Sequence, residues 1–209
     1  MNQTLRIDKL LVGLGYGSRR EIESLADTDR LLLDSAPVLD CSTKVTLDAS
    51  LRTRLTIDGA MIDPLPNMVV MLHKPLGVTC SHKESGKLIY DLLPSRWKRR
   101  DPALSSIGRL DKETSGLLLL TDDGALLHKV ISPKKHVAKC YLATLARPLN
   151  GNEAPIFASG TLMLEGETTP LQPAKLEVLS ATTARLIVHE GRYHQVRRMF
   201  AAVGNHVNA

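Results

Sequence analysis

Aromatic residues make up only 3% of the 209-residue chain, two Phe, four Tyr and one Trp. With 43% hydrophobic residues overall, the core must be built from leucine, valine, isoleucine and alanine, and a tyrosine in polar company stands out. Cysteine is scarce as well: Cys41, Cys80 and Cys140 are odd in number and lack the paired spacing of a zinc site, which speaks against a disulfide scaffold and for reduced thiols in a cytoplasm. No long apolar run exists. The longest around the central motif, Leu117 to Leu120, is far shorter than the roughly 20 residues that span a bilayer, and the polar N-terminus has no apolar segment of the kind that directs secretion. Internal repeats and low-complexity stretches are absent too. What remains is a soluble globular chain, long enough for one domain or for a small and a larger one.

Charge is unevenly spread. The formal net charge is +5, yet residues 1–58 hold 8 Lys+Arg against 9 Asp+Glu, while residues 59–209 hold 19 against 13. The cations of the later part gather at Arg96-Trp97-Lys98-Arg99-Arg100, at Lys129 to Lys139 and at Arg192 to Arg198. Each run is either a solvated face or a surface for a polyanion.

Leu5, Leu10, Leu11 and Leu14 fall at helical intervals before Gly13, Gly15 and Gly17 interrupt them. Ser18 and Glu21 then have the spacing of a capping box, which predicts a second helix. Arg19 and Arg20 in its first turn oppose the helix dipole, a placement that a phosphate partner would explain. Leu31 to Leu33 reads as a short strand. Asp58-Gly59 and Asp63-Pro64-Leu65-Pro66-Asn67 are turn signals where the charge balance changes, so the expected organisation is a module over 1–58, a linker over 59–67 and a larger domain over 68–209. Met68 to Leu72 predicts a buried strand ending at Lys74-Pro75-Leu76-Gly77, where Lys74 is either a phosphate contact or an ordinary exposed lysine.

The centre of the chain is GRLDKETSGLLLLTDDG, Gly108 to Gly124. A polar loop runs directly into four leucines expected to be buried, so the loop is anchored on a rigid edge and Asp111 is the residue to explain. One reading makes it a solvated charge paired with Arg109 or Lys112; the other makes it a reactive carboxylate. A helix from Gly124 to before Pro133 follows, then a strand, Lys139 to Leu145, that sets Lys139 and Tyr141 on one face. Strands at Ala174–Leu179 and Ala184–Val188 precede GRYHQVRRMF at Gly191 to Phe200. Val196, Met199, Phe200 and Val203 form one apolar helical face that Gly204 closes, and Arg197 lies beside that stripe. Strands without regular strand-helix alternation indicate an α+β domain with a mainly antiparallel sheet.

Two resemblances add to this. Arg6-x-Asp8-Lys9 and Ser18-Arg19-Arg20-Glu21 resemble the small alpha-L RNA-binding module, which implies RNA contacts from Arg6, Lys9, Arg19 and Arg20. Lys74-Pro75-x-Gly77, the Gly108–Gly124 block, Lys139-x-Tyr141 and Gly191–Phe200 resemble RsuA-type ribosomal RNA pseudouridine synthases, and their wording is most similar to the small-subunit RNA enzymes. The resemblance implies isomerisation of a specific uridine of ribosomal RNA, of the small-subunit 16S species, to pseudouridine, with no metal and no organic cofactor. Asp111 matches the catalytic aspartate, Arg197 its basic partner and Tyr141 the tyrosine that packs on the target base. An aspartate acting on a neutral nucleoside must be ionised, and the target must leave its stack to reach it, so Arg109 beside Asp111 is placed to fill the gap or grip the backbone. Lys74, Lys139 and Arg192 are the remaining candidates for RNA contact. The implied partner is ribosomal RNA or a ribosome-assembly particle, met by a monomer with no membrane association.

Two alternatives stand beside it. Asp111-Lys112 also begins an aspartyl-phosphate motif, but the Thr-Gly that should follow is missing. A truncated, catalytically impaired RNA-binding protein is the other: members of the family continue past Val207 into a further strand, whereas Asn208-Ala209 stands at the end here, so the catalytic domain is expected to lack its C-terminal end.

Overall fold

The computed structural model describes residues 3–209, in two compact units divided between Leu127 and His128. The fold is mixed α/β, and every strand-to-strand ladder among the described residues is antiparallel.

The first unit opens with β1 (Thr4–Arg6), paired to β4 (Lys44–Thr46), and with helices α1 (Ile7–Gly13) and α2 (Arg19–Asp27). The capping box forms: Ser18 Oγ accepts from the Glu21 N–H at 3.4 Å, and the Glu21 carboxylate accepts from the Ser18 N–H at 2.6 Å. Leu10, Leu11 and Leu14 enter the core, but Leu5 lies on β1, so the helix starts later than the leucine spacing alone indicates. A four-stranded sheet of order β3-β2-β5-β6 comprises β2 (Leu31–Leu33), β3 (Ala36–Pro37), β5 (Leu55–Ile57) and β6 (Ala60–Met61), with the short helix α3 (Leu51–Arg54) before β5. Asp58 and Gly59 are the two left-handed residues of the β5–β6 hairpin, at φ 52° and 74°. That turn lies inside the sheet, and the same core takes in Ile62 and packs Leu65 against itself. The first core thus extends past residue 58, further than turn signals alone indicate.

A second core in the same unit lies under β7 (Val69–Lys74), β8 (Ser105–Ser106) and β9 (Gly116–Thr121), in the order β7-β9-β8. The expectation that Met68–Leu72 and Leu117–Leu120 are wholly buried is corrected here. Leu118 and Leu120 are in the core, while Leu117 is 64% and Met71 78% exposed. The reason is the two-residue period of a strand: this sheet is covered on one face, and alternate side chains turn to the other.

The cations at 96–100 are also redirected. Arg96 donates to Asp63 at 2.6 and 3.2 Å and lies 4.1 Å over the Tyr16 ring. Arg100 is paired with Asp122 at 2.7 Å, both side chains buried, and also donates to Pro64 O. Lys98 pairs with Asp91 at 2.8 Å. Gly15, at φ +86°, allows this packing, since a Cβ there would stand 2.6 Å from Arg96 O. Three of these four cations knit the protein together.

The helix α4 (Gly124–Ile131) follows β9. In the second unit β10 (Lys139–Thr144), β11 (Lys175–Ser180) and β12 (Thr183–Val188) form a sheet of order β10-β12-β11. Helices α5 (Glu153–Ala158) and α6 (Gln195–Ala202) close the core, where Phe157 meets Phe200 edge to face with centroids 5.3 Å apart. Residues after α6 run along β10: Val207 bridges Leu145, and Thr144 N donates to Ala209 O at 2.7 Å. Among the described residues no helix is long and apolar enough to cross a membrane.

Candidate active site

The loop that carries Asp111 is bracketed by Gly108 and Gly116, at φ +81° and +129°, conformations in which a side chain is strained. Between them the chain makes a tight turn, with Thr114 N donating to Asp111 O at 3.0 Å. Leu110 packs against the core below, Arg109 is exposed and Asp111 is half-buried.

Lys74 fixes this turn from behind, and its assignment as an RNA contact is corrected. It ends β7 opposite Gly116 and is 0% exposed. Its ammonium donates to Thr114 O at 2.7 Å, Pro75 O at 3.1 Å and Lys112 O at 3.4 Å, while Gly77 N donates to Lys112 O at 2.8 Å. All three side-chain donor directions therefore end on backbone carbonyls. Burial pushes the ammonium below the ordinary lysine range, opposed by negative charge that includes Glu113 and Asp111. The sequence offered a lysine at a strand end; only the register β7·β9 reveals that its target is the turn of Asp111.

In the second unit Lys139, Tyr141 and Ala143 alternate along one side of β10, and Tyr141 packs on the core that also holds Met199 and Phe200 of α6. Arg197, on α6, donates to Val207 O at 2.9 Å, and Val207 in turn bridges Leu145 just beyond β10. Helix and strand are thus coupled through the backbone of residues 205–209.

Arg192 is a second correction. Its guanidinium donates to Glu190 and Glu167 at 3.2 Å each, to Thr169 O at 2.8 Å and to Pro170 O at 2.6 Å, leaving it little to offer a phosphate. Arg198 reaches the other oxygen of Glu167 at 2.9 Å and Glu165 O at 2.6 Å. Gln195 completes the knot, its amide donating to Glu190 and its carbonyl accepting from Arg192 N. Arg198, and then Arg192, hold the Glu167 carboxyl below its usual range. Glu167 had no signal in the sequence, because it lies far along the chain from both arginines.

Two of the candidates in the first unit, Arg6 and Arg19, meet on one carboxylate. Asp8 is buried, Arg6 donates to it at 2.8 and 3.0 Å, and Arg19 lies 3.7 Å away. Lys9, Arg19 and Arg20 are exposed, as donors to phosphate oxygens must be. No group of three or more metal-ligating side chains occurs among the described residues.

The chain is similar to known proteins. A family model described as RNA pseudouridylate synthase matches residues 68–202. Ribosomal small subunit pseudouridine synthase A of Yersinia pestis is 39% identical over 210 residues, 97% of this chain and 84% of that protein. Its namesake in Escherichia coli K12 is 47% identical over 140 residues, 66% of this chain and 58% of that protein. An uncharacterised RNA pseudouridine synthase of Bacillus subtilis is 35% identical over 208 residues, 97% and 84% of the two chains. A crystal structure of a pseudouridylate synthase superposes with a TM-score of 0.63 at 36% identity, covering 98% of this chain and 86% of that one.

Proposed function

Because the chain belongs to the RNA pseudouridylate synthase family, we propose that it isomerises one uridine of small-subunit ribosomal RNA to pseudouridine, with Asp111 as the catalytic carboxylate. The reaction breaks the bond between the sugar and N1 of the uracil and rejoins the sugar to C5; nothing is added or lost except that the C5 proton is released and N1 is protonated. The observation that carries the reading is the turn of Asp111, held by contacts from the buried Lys74 ammonium to two of its carbonyls, Lys112 O and Thr114 O. A carboxylate that must meet one carbon of a nucleoside gains rate from such fixed placement.

In this reading the ionised Asp111 attacks the sugar or the base, or removes the proton that starts glycal formation. Tyr141 packs against the detached uracil while it turns over, and Arg197 orients and neutralises the carboxylate. The uridine leaves its stack before reaction, and the exposed Arg109 fills the space it vacates. Arg6, Lys9, Arg19 and Arg20 act as an alpha-L RNA-binding surface, with Lys139 as a further phosphate contact. Arg192 and Lys74 serve as internal braces. The experiment is pseudouridine counting in small-subunit ribosomal RNA, free and as assembling particle, after incubation with the purified chain. One new pseudouridine per RNA is expected, and none on either substrate contradicts the proposal.

A further inference from the structure

Six of the seven aromatic side chains are buried or half-buried. Tyr193 is the exception, at 71% exposed. Its ring is nonetheless ordered by its neighbour: it stacks on His194 with centroids 3.9 Å apart and planes 17° from parallel. One face of the phenol is thus covered by imidazole, and the other is turned to solvent.

The backbone beneath is rigidly built. His194 caps α6 in the left-handed region, at φ 47°, a conformation that a residue with a side chain adopts only when its surroundings impose it. Arg198 N donates to His194 O at 3.0 Å, the Arg198 guanidinium donates to Tyr193 O at 3.2 Å, and Gln195 N donates to Arg192 O at 3.2 Å. The Arg192–Glu167–Arg198 knot described above clamps both ends of this turn.

An exposed aromatic stacked on a second ring, fixed on a braced turn, is the arrangement by which proteins receive unpaired bases, since each base has a π face and stacking requires no particular sequence. A uridine drawn out of its stack leaves a neighbour without a partner on one side. Resting on the proposed function, we infer that the Tyr193–His194 stack is a platform for one unpaired nucleobase of the substrate RNA.

The test uses the intact chain with a small-subunit ribosomal RNA transcript, comparing native protein with Tyr193→Ala, Tyr193→Phe and Tyr193→Leu. Loss of one base stack weakens binding about 10- to 100-fold, so Tyr193→Ala and Tyr193→Leu should raise Kd and KM by that factor with kcat little changed, while Tyr193→Phe stays within about threefold. The dependence of affinity on salt should be the same for all four, because no charge is removed. Native-like affinity of Tyr193→Ala overturns the platform, and so does an equal loss in Tyr193→Phe, which would assign the effect to the hydroxyl. The affinity measurement decides this even if the native chain forms no pseudouridine, an outcome that would sink the proposed reaction separately.

Discussion

Residues 96–100 and residues 129–139 each supply four lysines and arginines, and they use them in opposite directions. In the first stretch Arg96, Lys98 and Arg100 each meet an aspartate, and Arg100 is sealed in the interior. In the second, Lys129, Lys134 and Lys135 are exposed, and no ion pair among the described residues involves them or Lys139. The sequence around them differs accordingly. No Asp or Glu occurs between Asp123 and Glu153, whereas Asp63, Asp91 and Asp122 are all at hand for the first cluster. A run of cations to which the fold brings no carboxylate stays available to solvent or to a polyanion; elsewhere it becomes internal bracing.

This contrast can be broken by substitution. Arg100→Met should have the largest effect on stability, about 3–5 kcal/mol, because it strands the buried Asp122 carboxylate without its partner; thermal melting checks it, and a near-native melting point would mean the pair is dispensable. Lys74→Met should cost about 2–3 kcal/mol by removing charged donors from carbonyls that have little other recourse, and turnover should fall more than RNA affinity as the turn of Asp111 loosens. Glu167→Gln is expected to do less at neutral pH, and its penalty should vary with acidity. Its folded-state pKa lies below the ordinary glutamate value of 4.5, so the ionic contribution is complete above that value and is lost as the pH falls through the depressed one. Melting curves of native and variant should therefore converge below pH 4.5; a constant gap would show that the carboxylate charge is not what ties Arg192 and Arg198. The smallest effect on stability belongs to Lys134→Ala with Lys135→Ala: no change in melting, but a slope of log affinity against log salt reduced by roughly 1.5 if both meet phosphates. An unchanged slope would make the acid-free stretch a merely solvated face.

Much of this was legible in the sequence where a local rule is sufficient. The Ser18–Glu21 cap, the strand at Leu31–Leu33 and the stripe Val196, Met199, Phe200, Val203 all depend on residues a few positions apart, and the helix or strand realises them directly. The Gly108–Gly124 block pointed to Asp111 because a charged turn joined to a leucine strand is itself local. What escaped were partners distant along the chain. Lys74 lies 40 positions from Thr114, Arg100 lies 22 from Asp122, and Glu167 is 25 and 31 from its arginines. For each of the cations involved, the amino-acid type is compatible with a phosphate or with an internal acceptor, and only strand register and loop packing choose. The misplacement of Leu117 and Met71 in the core has another cause: a continuous apolar run fits a strand buried on both faces, yet here one face remains open.

The account rests on Asp111, and Asp111→Asn tests it most directly, since the substitution preserves shape while removing the ionised carboxylate. Native and variant chains at equal folded concentration should be incubated with excess small-subunit ribosomal RNA substrate, and pseudouridine should be counted over time beside RNA affinity. Turnover should vanish while affinity stays within about tenfold of native. Pseudouridine formed by the variant at a native rate would remove Asp111 from the reaction, and with it the reason for the braced turn.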